Sequence, residues 1–172
     1  MLRQGSVRQL RTGAIARSTG HIAICMCFHP RNLAARFRDE YLSSLAPDQE
    51  LFRDWQEKRD EVGHDRAFAE ARYQERFHLG AKAFRDLERL TELSREKHVY
   101  IVCQCETGFR CHREMLLLTA RQEFGAETGL VYHQYPTYLA RVPALRRAAE
   151  AEAETEAETE ASAVRKVRGR RK

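Results

Sequence analysis

The chain has 172 residues, with 30 Lys and Arg against 25 Asp and Glu and a formal net charge of +5. That length suits one domain with enough buried surface to fold alone. No apolar run approaches the roughly 18 residues of a membrane span, so a membrane protein is excluded and a cytoplasmic location is expected.

The first 19 residues hold Arg3, Arg8, Arg11 and Arg17, no acid, and no apolar block of the secretory kind. Residues 1–19 therefore read as a frayed basic arm. Residues 20–28, G-H-I-A-I-C-M-C-F, form a short apolar run with β-branched members and read as a buried strand. His29 and Pro30 break it. Asn32 is placed to cap a helix over residues 33–45, with Leu33, Phe37, Tyr41 and Leu45 four apart. Ala46-Pro47-Asp48 ends that helix, and a second starts near Asp48 with Leu51, Phe52 and Trp55 facing inward. After Gly63 a helical pattern covers residues 65–96, with Phe68, Tyr73, Phe77, Phe84, Leu87 and Leu90 on its inner face. Gly80 divides it into helices near 65–79 and 81–96.

Residues 98–104, H-V-Y-I-V-C-Q, read as a second strand, and residues 111–124 as a helix ended by Gly125. Residues 129–135 read as a third strand, closed by Pro136, and residues 138–147 as a short helix limited by Pro143. The tail, residues 148–172, has six Glu between 150 and 160 and six Lys or Arg between 165 and 172. It has no apolar face to bury and is expected to be disordered. Its basic end is a candidate contact for nucleic acid.

Strand, helices, strand, helix, strand predicts a small parallel-type sheet flanked by helices: a single α/β domain over residues 20–147. Ligands of such sheets sit beyond the carboxyl ends of the strands. Both Cys-x-Cys pairs, Cys25 with Cys27 and Cys103 with Cys105, lie there. Five cysteines, an odd number, argue against a closed disulfide framework. They leave buried fillers, metal ligands or reactive thiols.

The segment C-E-T-G-F-R-C-H-R, residues 105–113, is the candidate functional site. A strand running through it into a helix brings unpaired amides and a partial positive charge to the turn. Gly108 permits that turn, and Arg110 and Arg113 add fixed charge, an anion-binding set for a small anionic ligand. Cys105 is the candidate catalytic thiolate and His112 a proton shuttle. A metal reading competes: Cys25, Cys27, Cys103, Cys105 and Cys111 can supply thiolates to zinc or an iron–sulfur cluster if their strands are neighbours. A redox pair between Cys105 and Cys111 is a further alternative. His133 is either a satisfied core histidine or a partner in the site.

C-x-x-G-x-R over residues 105–110 resembles the active-site loop of rhodanese-type sulfurtransferases. The resemblance implies that Cys105 carries a persulfide, that Arg110 orients substrate, and that a sulfur acceptor is the partner. A broader likeness rests on F-H-P-R-N (28–32), E-Y-L-S-S-L-A-P-D-Q-E-L (40–51), F-A-E-A-R-Y (68–73), V-Y-I-V-C-Q-C-E with C-H-R (99–113) and V-Y-H (131–133). In that order these motifs resemble the bacterial family called domain of unknown function 488. That resemblance implies an α/β fold and no established reaction. The chain departs from the family's pattern in its density of cysteines, with Cys27 where a non-thiol residue is expected.

Overall fold

A computed structural model describes residues 1–28 and 33–169. Four parallel strands form one sheet: β1 (Leu2–Ser6), β2 (His21–Ile24), β3 (Glu40–Tyr41) and β4 (Val99–Cys103), in the order β1-β4-β2-β3. Among the described residues seven α-helices surround it: α1 (Val7–Thr12), α2 (Gln49–Val62), α3 (His64–Glu70), α4 (Tyr73–Arg76), α5 (Ala81–Glu96), α6 (His112–Phe124) and α7 (Pro136–Gly169). The predicted α/β class, parallel sheet and single domain hold. β4 is buried along its whole length, as a strand covered on both faces must be.

Side chains alternate across the sheet and divide the core in two. Tyr100 and Val102 of β4, with Ile22 and Ile24 of β2, pack against Val7 and Leu10 of α1. Val99 and Ile101, with Ala23 and Cys25, face the larger core built on Phe77, Leu87, Leu90, Met115 and Leu116. Ile24 pairs with Val102, so Cys25 and Cys103 follow side by side at the carboxyl edge of the sheet.

The N-terminal segment is not a frayed arm. Leu2, Val7 and Leu10 are buried, and β1 pairs with β4 from Leu2–Val99 to Ser6–Cys103. Ser6 and Gln9 form a reciprocal capping box on α1. The strand escapes a reading by period because Arg3, Gln4 and Gly5 interrupt its apolar pattern.

Residues 33–45 do not form the predicted helix. They contain a 3-10 turn at Ala35–Phe37, β3, and a second 3-10 turn at Ser43–Leu45. Edge pairing with β2 decides this, through Asp39 N to Ile22 O (2.9 Å) and Leu42 N to Ile24 O (2.8 Å). Leu33 joins the smaller core and Leu45 the larger, on opposite faces of the sheet, which one helical stripe cannot do. Asn32, the predicted cap, lies outside the described residues.

Residues 129–135 form no strand. Thr128 makes one bridge to Leu2, and then side chains take the backbone partners. Gln4 Nε2 donates to Leu130 O (2.8 Å), and Tyr132 N donates to Glu114 (2.6 Å).

The helix after Pro136 is not stopped by Pro143, and it carries residues 148–169 of the predicted disordered tail as helix. Tyr138, Val142 and Ala149 are buried along it, so packing outweighs the hydrogen bond that proline removes. Glu152 reaches α5 and accepts from Ala81 N (3.0 Å). The helix expected over residues 65–79 is broken at Arg72, which takes φ +50°, into α3 and α4, whereas Asp48 caps α2 through Leu51 N (2.7 Å) and Gly125 ends α6 with φ +65°, both as expected. No described helix is long and apolar enough to cross a membrane.

Candidate functional site

β4 delivers the chain into the loop of residues 104–111, and α6 carries it away. Gly108 takes φ +96°, a conformation open to glycine at no steric cost. The loop is tied from below by Arg113, which is fully buried. Its guanidinium donates to Gly5 O at the end of β1 and to Glu106 O (3.0 Å) in the loop. Ser6 Oγ adds a bond to the Glu106 carboxylate (3.3 Å).

Cys111 is the N-cap of α6 and is buried. Its sulfur lies 3.5 Å from His112 Nδ1. His112 Nε2 lies 2.8 Å from Cys25 O. A carbonyl oxygen only accepts, so Nε2 carries a proton and Nδ1 is the ring nitrogen that faces Cys111. A thiol, an imidazole and an orienting carbonyl thus stand in sequence.

Three thiols meet here. Cys103 Sγ, Cys111 Sγ and a ring nitrogen of His112 lie within 4.8 Å of one another, all buried. Burial opposes ionisation of Cys111. Hydrogen bonds from Cys103 and Cys105, with the charges of His112 and Arg113, overcome it and hold the Cys111 thiol well below the usual range. Cys105 moves the other way: hydrogen bonds with Cys103 and Cys111, then burial, raise it well above that range. For Cys103 the bond with Cys105 lowers the pKa, but the bond with Cys111 and burial prevail and push it up to about 12. Burial likewise raises Cys25, and raises Cys27 to about 11. Of these thiols Cys111 is the one favoured toward the thiolate, and Cys105 is not.

Behind Cys111 lies a polar network with Glu114 at its centre, fully buried. Glu114 accepts from Tyr132 N (2.6 Å), Tyr135 OH (2.6 Å), His133 Nδ1 (2.8 Å) and Gln4 Nε2 (3.2 Å). The Tyr135 hydroxyl also accepts from Cys111 N (3.1 Å). Burial and then the Glu114 carboxylate raise the Tyr135 pKa far above its ordinary value, so it stays a hydroxyl. His133, half committed to the core, also faces Asp65 at 3.9 Å.

In front of the thiols is a cavity of about 270 Å³. Its lining includes Cys103, Cys105, Cys111 and His112 together with Phe52, Trp55, Phe68 and Tyr73. Arg110 is also in its lining.

The structure therefore brings Cys105, Gly108, Arg110 and His112 to one place, but it divides the predicted anion clamp. Arg113 is spent on backbone carbonyls behind the loop and presents nothing to a ligand. Of the five candidate metal ligands, Cys103 and Cys111 converge with His112. Cys25 Sγ donates to Val102 O (3.3 Å) and also lies 3.5 Å from His112 Nε2, at the edge of the cluster, whereas Cys27 donates to Pro47 O (2.9 Å). The buried Arg113 cation lies against the same thiols. Glu114 and Tyr135 were not legible as site residues, because Glu in a first helical turn reads as an ordinary dipole partner.

A family model described as DUF488-N3a, the active DUF488-N3 subclade, matches residues 7–123. The chain belongs to this family. The match runs from α1 to the end of α6 and includes the whole Cys103–Arg113 region. It also places α1 inside the family domain, in keeping with the packed N-terminal segment. No curated protein and no solved structure matches the chain.

Proposed function

We propose that this DUF488-N3a member is a cysteine-dependent enzyme in which Cys111 is the nucleophile. The observation that carries the reading is the Cys111–His112–Cys25 O alignment at the start of α6. His112 Nδ1 takes the thiol proton, and the Cys25 carbonyl holds the imidazole in the tautomer able to do so. The helix N-terminus and Arg113 favour the resulting thiolate. The cavity admits an electrophile to the sulfur, and the imidazolium returns its proton to the leaving group. Cys103 and Cys105 hold protons toward Cys111 and keep its charge localised. Persulfide transfer, the chemistry implied by the likeness to rhodanese loops, is one reaction this arrangement supports, with Cys111 as the carrier in place of Cys105.

The test is site-resolved alkylation by iodoacetamide across pH on protein also assayed for metal. A lowered pKa means that the thiolate persists below the ordinary range, so Cys111 reacts at a rate nearly constant through neutral pH and declines only in acid. Cys27, raised to about 11, gains reactivity only in strong alkali. Stoichiometric zinc or iron, with Cys111 protected until the metal is removed, would replace the thiolate reading with a metal centre.

A further inference from the structure

Resting on Cys111 as the nucleophile, we infer the class of molecule that reaches it: a compact planar aromatic compound bearing an anionic group. Two independent features of the cavity carry this.

The first is a chain of rings around the mouth. Phe28 contacts Phe52 with centroids 5.8 Å apart, Phe52 contacts Trp55 at 5.9 Å, Trp55 contacts His64 at 5.1 Å, and His64 contacts Phe109 at 4.7 Å. All five line the same cavity. The two terminal rings, Phe28 and Phe109, are each 45% exposed. Large apolar side chains at the rim of a concave site gain by covering a ligand face, and rings favour ring faces and edges. A volume of about 270 Å³ lies at the small end for ligand pockets, which run about 300–1,000 Å³. It selects one ring system with a short substituent over an extended ligand.

The second feature is the charge of Arg110. Its guanidinium meets the Gln134 carbonyl (3.4 Å) and the Tyr135 ring (5.9 Å) and, among the described residues, no carboxylate. Asp65 accepts from the Arg110 backbone N–H (3.3 Å) and lies 3.0 Å from His64 Nδ1, and the carboxylate of Glu106, also in the lining, accepts from Ser6 Oγ (3.3 Å). Arg59, also in the lining, is by contrast paired with Asp60 (2.7 Å). One lining cation is thus compensated and the other is available. A carboxylate or phosphate on the ligand would satisfy Arg110 with the paired N–H geometry that guanidinium offers. The anion then sits at Arg110 in the same cavity that Cys111 lines, and the ring among the aromatic side chains.

The experiment uses three electrophiles that differ in these two features: 4-(bromomethyl)benzoate, benzyl bromide, which lacks the anion, and bromoacetate, which lacks the ring. In each case the Cys111 sulfur forms a bond to the CH₂ carbon while the carbon–bromine bond breaks, and bromide leaves with the electron pair. Rates at Cys111 are read by peptide mass spectrometry and divided by the rates with a free small thiol. The expected result is a normalised preference for the benzoate reagent of about tenfold over either of the others, the size of one good charge-assisted contact. Arg110→Ala abolishes the advantage over benzyl bromide, while Arg110→Lys keeps part of it. Phe109→Ala lowers the two ring reagents relative to bromoacetate. Equal normalised rates for all three reagents overturn the ligand class while leaving the thiolate intact. No labelling of Cys111 by any of them, with other cysteines labelled, overturns the thiolate itself.

Discussion

Replacing Arg113 with Met separates two roles that this buried cation combines. Its guanidinium bonds Gly5 O and Glu106 O, so it joins the end of β1 to the loop that carries the thiols. Hydrogen bonds from a charged donor contribute about 1.5–3 kcal/mol each, or about 3–6 kcal/mol for the pair. Against this, Met removes the cost of burying a charge, and Nε, which has no partner, adds nothing to lose. The net loss is about 2–4 kcal/mol, which for a domain of this size moves a urea midpoint down by about 1–2 M. The second role is electrostatic. Without the cation, Cys111 loses one of the charges that depress its pKa, and each unit of increase cuts the thiolate fraction about tenfold at pH values below the pKa. Urea unfolding and the pH at which Cys111 alkylation declines read the two roles separately. Arg113→Lys keeps the charge and loses the fork, so it should lower stability while preserving most of the alkylation rate. A Met variant with the wild-type midpoint would refute the loop tie. A Met variant whose alkylation declines at the same acid pH as the wild type would refute the countercharge.

Glu114→Gln puts an amide donor among the donors of Tyr132, His133 and Tyr135, and should cost about 3 kcal/mol in chemical unfolding, as disruption of buried charged pairs does. An unchanged midpoint would mean that Glu114 is not the centre of that network. Glu152→Ala removes the carboxylate that accepts from Ala81 N at the uncapped start of α5, and should cost about 1 kcal/mol by the same measurement. No loss would mean that the acidic stretch of α7 does not dock there.

What the sequence determined by itself was local. Strong periods and punctuation placed β2, α2, α5, β4 and α6, because an apolar run or stripe bounded by Asp48, Gly80 or Gly125 has one low-energy outcome. The same reading placed the functional loop between β4 and α6, where the cysteines, Gly108 and Arg110 cluster within nine residues of chain. Tertiary structure decided what no period encodes. β1 exists because β4 offers an edge, and β3 replaced a helix because β2 offered the other. Pro143 was absorbed because Val142 and Ala149 had a core to enter. The choice among the thiols was also tertiary. Cys105 and Cys111 stand in the same motif, but ionisation depends on what surrounds each sulfur. Cys25 O and Gly5 O, far away in sequence, orient His112 and Arg113 around Cys111 and so direct the charge to it.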